Sequence, residues 1–105
     1  MRTIRDICNE INVSYRNPTS NDSLDNYIGK IDENKLLIKR TKYDNYLKQT
    51  INIIYVIIDN LYITAILKEK EQLDLLYKYL LNNKYSSILE LSNMDGITEF
   101  HIESL

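Results

Sequence analysis

Apolar residues recur along this chain with two different periods, and the switch between them divides it into elements. Ile4, Ile7, Cys8 and Ile11 stand at i, i+3, i+4 and i+7, one face of a helix with 3.6 residues per turn. The spacing predicts an amphipathic helix over Thr3–Asn12. Thr3 is placed to act as N-cap, and Asp6 sits in the first turn, where a carboxylate favours the helix dipole. Cys8 lies on the apolar stripe, too far from the helix start to be activated there, and reads as a small buried hydrophobe. The periodicity then stops. Asn17-Pro18-Thr19-Ser20-Asn21-Asp22-Ser23 is turn chemistry throughout, and residues 14–26 are expected to form a surface loop.

From Tyr27 to Lys68 the pattern is that of strands. Tyr27–Ile31 and Lys35–Lys42 flank Asp32-Glu33-Asn34, Asp44-Asn45 separates the next pair of strands, and Asp59-Asn60 the pair after it. A two-residue turn at Asp59-Asn60 sets Ile58 opposite Leu61, Val56 opposite Ile63 and Ile54 opposite Ala65 on one face. The other face carries Ile57/Tyr62, Tyr55/Thr64 and Ile53/Ile66. Apolar residues on both faces predict that these two strands are central in their sheet.

The period of 3.6 returns over Glu69–Asn83. Leu73, Leu76, Tyr77 and Leu80 form a stripe, widened by Leu81, and Asn82-Asn83 supplies a left-handed stop. Ser87–Leu105 reads as a last hairpin around Asp95-Gly96, with Leu91/Phe100 and Leu89/Ile102 inside and Glu90/His101 and Ser92/Glu99 outside. The element order is α-β-β-β-β-α-β-β. The fold class is α+β, a mainly antiparallel sheet packed against two helices in one small domain spanning residues 1–105.

Composition narrows the chemistry. The chain has 105 residues, one Cys, one His, two Gly and no Trp, which leaves no disulfide framework and no zinc site held by this chain alone. Its longest apolar run, Ile53–Ile58, is far short of a membrane span, the first residues lack a continuous apolar core for a signal peptide, and a lone Cys fits a reducing compartment. A cytoplasmic protein with no cofactor and no membrane partner is the expectation. With Gly29 and Gly96 alone there is no glycine-rich phosphate loop. A pair of His101 with Glu90 is better explained as an exposed cross-strand contact than as an acid–base couple. The chain is therefore expected not to be an enzyme.

Charge is unevenly distributed. Residues 35–50 hold Lys35, Lys39, Arg40, Lys42 and Lys48 against Asp44 alone, whereas residues 69–105 hold three Lys against seven acids. Two binding surfaces follow. One is a basic patch of Lys35, Lys39, Arg40, Lys42 and Lys48 with Tyr43 and Tyr46. In a register set by a tight Asp44-Asn45 turn, Lys35, Lys39 and Lys48 share one sheet face. The other is the acidic start of the second helix, Glu69, Glu71 and Asp74. Nine Tyr, with Tyr43, Tyr46, Tyr79 and Tyr85 outside the core stripes, supply rigid amphipathic anchors for a protein interface. The function expected is that of a non-enzymatic, protein-binding inhibitor that occludes a larger partner. Two settings fit: a phage or mobile-element anti-defence protein of the anti-CRISPR kind, or an immunity protein that neutralises a toxin. The partner would be a nucleic-acid-handling enzyme or a toxin. The alternative is a small single-stranded nucleic-acid-binding protein that uses the 35–48 patch with Tyr43 and Tyr46. Exposed edge strands also admit self-pairing as a homodimer.

Overall fold

The computed structural model of the chain describes residues 2–13, 27–31, 34–82 and 94–105. In chain order these form α1 (Ile4–Glu10), β1 (Tyr27–Ile31), β2 (Leu36–Asp44), β3 (Gln49–Ile58), β4 (Leu61–Leu67), α2 (Lys70–Asn82) and β5 (Ile97–Ser104). The strands make one five-stranded sheet in the order β1-β2-β3-β4-β5, every neighbouring pair antiparallel. This is a small α+β domain with an antiparallel sheet and two helices. The expected loop at 14–26 and the expected strand at 87–92 lie outside the described residues, as do Tyr85 and Glu90.

The two helices take opposite faces of the sheet, which is why β3 is apolar on both sides. Ile54, Val56 and Ile58 join Leu37, Ile63, Ala65 and Leu67 under α2, where Leu73, Leu76, Tyr77 and Leu80 complete one core. Ile51, Ile53, Tyr55 and Ile57 point the other way and join Leu36, Ile38, Ile4, Ile7, Cys8 and Val13 in a second core under α1. Among the described strands β3 is the middle one, as its pattern predicted. Leu81 is a correction. It stands exposed beside the helix stripe instead of widening it.

Local chemistry explains where α1 begins and ends. Thr3 Oγ1 accepts from the Asp6 N–H at 3.2 Å, and the Asp6 carboxylate accepts from the Thr3 N–H at 2.8 Å, a reciprocal capping box. The Thr3 N–H, and after it the Thr3 hydroxyl, favour the charged carboxylate and hold the Asp6 carboxyl below the usual carboxylate range. At the other end Asn12 adopts φ 58, the Asn12 N–H reaches Asn9 O at 3.3 Å and the Val13 N–H reaches Cys8 O at 2.9 Å. This is a Schellman turn, with Val13 and Cys8 meeting in the core.

The β3–β4 turn follows the expected register pair for pair, from Ile58↔Leu61 to Ile53↔Ile66. Asp59 and Asn60 both take positive φ, 51 and 64, as a type I′ turn requires; Asp and Asn tolerate this region, so no glycine is needed. The β2–β3 turn departs from expectation. Asp44 pairs with Gln49, not across a two-residue turn, and Asn45–Lys48 form the connection. The cause is the Asp44 carboxylate, which accepts from the N–H groups of Tyr46 and Leu47 at 2.8 and 2.9 Å, while Lys48 at φ 56 donates its N–H to Asp44 O at 2.7 Å. Tyr43 therefore faces Thr50 instead of Tyr46, a slip of an even number of residues. An even slip leaves every side chain of β3 on its original face, so the core assignment survives the change of register.

β5 pairs with β4, from Leu61↔Ser104 to Leu67↔Ile97, with a bulge at Ile66/Leu67. Asp95-Gly96 is a turn, as the sequence predicted, but it also closes on α2. Gly96 O accepts from the Lys68 N–H at 2.8 Å. Gly96 has φ +89, and a Cβ there would come within 2.3 Å of the Gln72 amide, whose oxygen caps the Glu69 N–H at 3.1 Å. Gly96→Ala is expected to cost about 1–2 kcal/mol from the left-handed backbone, and to loosen the start of α2. Urea unfolding followed by far-ultraviolet circular dichroism checks this; an unchanged midpoint would mean that the turn relaxes freely.

Candidate functional site

The charged residues singled out in the sequence do not gather into one patch, and the reason is their position in the pleat. Alternate residues of β2 face opposite helices. Leu37 lies in the α2-side core, and Leu36 and Ile38 in the α1-side core. Lys39, on the α2 face, places its Nζ 2.7 Å from Asp74 Oδ1 and 5.2 Å from the centre of the Tyr77 ring. The basic strand and the acidic helix thus neutralise each other at this point.

Arg40 faces α1 and is 7% exposed. Its Nη1 donates to Ile11 O at 2.7 Å and its Nη2 to Asn12 O at 3.4 Å, the last carbonyls of the α1 turn. A cation at a helix C-terminus satisfies both the orphan carbonyls and the dipole. Lys35 precedes β2 and lines a cleft of about 600 Å³ with Arg2, Asn34, Asp59 and Asn60, at the end of the sheet remote from the β2–β3 turn. Arg2 is not available there for an anion. It bonds both Glu10 oxygens at 2.7 and 2.8 Å, pairs with Glu103, and lies 5.8 Å from the centre of the Tyr62 ring. The expectation that Lys35, Lys39 and Lys48 share one sheet face is therefore corrected. Lys35 is at the far end, Lys39 is bound to α2, and Lys48 belongs to the turn.

What remains together is the tip of the β2–β3 hairpin. Tyr43 is 59% exposed and Tyr46 93%, with Leu47 and Lys48 exposed beside them and Lys42 partly exposed. An exposed aromatic on a floppy loop is of little use for recognition, because ordering it on binding costs entropy. Here the three backbone bonds to Asp44 hold the tip before any partner arrives. Sequence reading named Tyr43, Tyr46 and Lys48 but overlooked Leu47 and the role of Asp44. The signal was present: an Asp followed by Asn at a strand end is an Asx-turn former.

On α2, Glu69 and Glu71 are exposed at the first turn and Asp74 is occupied by Lys39. The outer side of the helix also carries Leu75, 66% exposed, and the exposed Tyr79. The acidic surface is thus narrower and more apolar than its charge count suggested. Cys8 is fully buried, and burial pushes its thiol up, away from the range of an activated thiolate. His101 lies opposite Thr64 on β5. Among the described residues no cluster of three His, Cys, Asp or Glu is arranged to hold a metal ion, and no helix is long and apolar enough to cross a membrane.

Compared with models of protein families, with curated proteins and with solved structures, the chain shows no significant match to any of them.

Proposed function

We propose that this chain is a non-enzymatic binding protein that inhibits a larger protein by occlusion, docking through the tip of the β2–β3 hairpin. A phage or mobile-element anti-defence protein, or an immunity protein against a toxin, would act in this way. The observation that carries the reading is the pinned tip, where Tyr43, Tyr46 and Leu47 stand in water on a backbone already held by Asp44. Large side chains with few rotatable bonds on a preorganised loop are the usual anchors of protein interfaces. Lys42 and Lys48 flank them and favour approach to an acidic surface. A single-stranded nucleic-acid reading draws less support, because Lys39 is bound to Asp74 and Arg40 to the α1 carbonyls.

Affinity capture from the cells in which the chain acts tests this. The wild-type chain is expected to retain one larger protein near a 1:1 ratio. Tyr43→Ala/Tyr46→Ala is expected to weaken that complex by about 30-fold or more, the scale of a lost hot spot, with no change in folding. Retention of the same protein by both forms would move the interface elsewhere. Turnover of a substrate by the purified chain would remove the proposal altogether.

A further inference from the structure

α1 has seven residues and spans barely two turns, too few to persist as a helix without the sheet beneath it. It is nevertheless the element that covers the Ile51, Ile53, Tyr55 and Ile57 face of β3. α2, on the other face, has thirteen residues and four buried side chains in its stripe. The contacts that hold segment 2–13 differ in kind. Ile4, Ile7, Cys8 and Val13 enter the core. Arg40, itself rooted in β2, holds Ile11 O and Asn12 O. Arg2 pairs across the surface with Glu103 on β5. Short elements held by few contacts open at lower free energy than the whole domain.

We propose that segment 2–13 is a strap that detaches from the sheet as one unit while β2–β5 and α2 stay folded, baring the Leu36, Ile38, Ile53, Tyr55 and Ile57 face. The fold then has two native-like states. In the closed one both sheet faces are covered; in the open one the side opposite α2 presents apolar sheet. Arg40 sets the balance between them, because its bonds to Ile11 O and Asn12 O exist only when the α1 turn is seated. The Arg2–Glu103 pair makes the closed state salt-dependent, since surface ion pairs weaken as salt screens them.

Cys8 is the natural reporter. It is the chain's single cysteine, fully buried on the strap's sheet-facing side, so a thiol-specific chromogenic disulfide reagent reads strap opening directly. If the strap opens alone, the labelling rate is nearly flat across low urea. Thr3→Ala, which removes the N-cap and touches neither sheet face, speeds labelling about fivefold. Arg40→Met speeds it about tenfold or more, and Ile63→Val, buried on the α2 face, leaves it unchanged. The overturning result is that Ile63→Val speeds labelling as much as it raises the unfolded fraction, with the urea slope of global unfolding. Cys8 would then be reached only through complete unfolding. Should Arg40→Met fail to fold, Thr3→Ala and Ile63→Val decide between the two outcomes.

Discussion

Leu76→Ala is expected to lower the free energy of unfolding by about 2–5 kcal/mol, a large part of the roughly 5–15 kcal/mol that holds a domain of this size together. Leu76 is fully buried where α2 meets β2, β3 and β4, among Leu73, Leu80, Val56 and Ile63. Truncation removes the transfer free energy of the lost methyl groups and leaves a void that the flanking strands cannot close. At about 4–8 °C per kcal/mol, the melting temperature should fall by about 8 °C or more. The control is Leu75→Ala, one residue away and 66% exposed. Both substitutions gain helix propensity equally, so the difference between them isolates packing. Leu75→Ala should stay within about 0.5 kcal/mol of the parent. If the two variants melted alike, α2 would not be packed on the sheet as described.

Arg40→Met is expected to cost about 2–3 kcal/mol. Methionine matches the aliphatic stem, so packing is largely kept. The loss is the charge-assisted pair of bonds to Ile11 O and Asn12 O, which tie the end of α1 to β2 and which a thioether cannot make. Arg40→Lys should recover little, because a point ammonium does not span two carbonyls as the planar fork does. Lys39→Met on the opposite face should cost at most about 1 kcal/mol, since its bond to Asp74 is partly exposed and ion pairs of that kind contribute little. Equilibrium urea unfolding of the three variants checks the order. Equal effects for residues 39 and 40 would show that the pleat assignment of β2 is wrong.

These two residues also show how far the chain's own pattern reaches. Side by side in sequence and equally charged, Lys39 and Arg40 belong to one basic run, and the run suggests a common surface. In the fold they point to opposite helices and neither offers a free patch. Period-two alternation implies that neighbours diverge, but which face is covered, and by what, depends on residues about thirty positions away in either direction. The candidate site shows the same division. Tyr43 and Tyr46 were identifiable as large side chains outside the core stripes, whereas the rigid tip that displays them depends on the Asp44 carboxylate choosing two backbone N–H groups over a tighter turn.

What the sequence determined by itself rests on neighbours within one turn or across one tight hairpin, the β2–β3 hairpin excepted, whose turn the Asp44 carboxylate reset. Thr3 as N-cap with Asp6 in the first turn, the Ile4/Ile7/Cys8 and Leu73/Leu76/Tyr77/Leu80 stripes, and the β3–β4 register across Asp59-Asn60 follow from local geometry and appear in the fold as read. What only the tertiary structure decided is the seating of α1 and α2 on opposite faces, the pairing of β5 with β4, and the burial of Arg40. Each of these is a contact between segments far apart in the chain. The free energy that selects them comes from burying whole faces together, and no local period or turn residue marks which faces will meet.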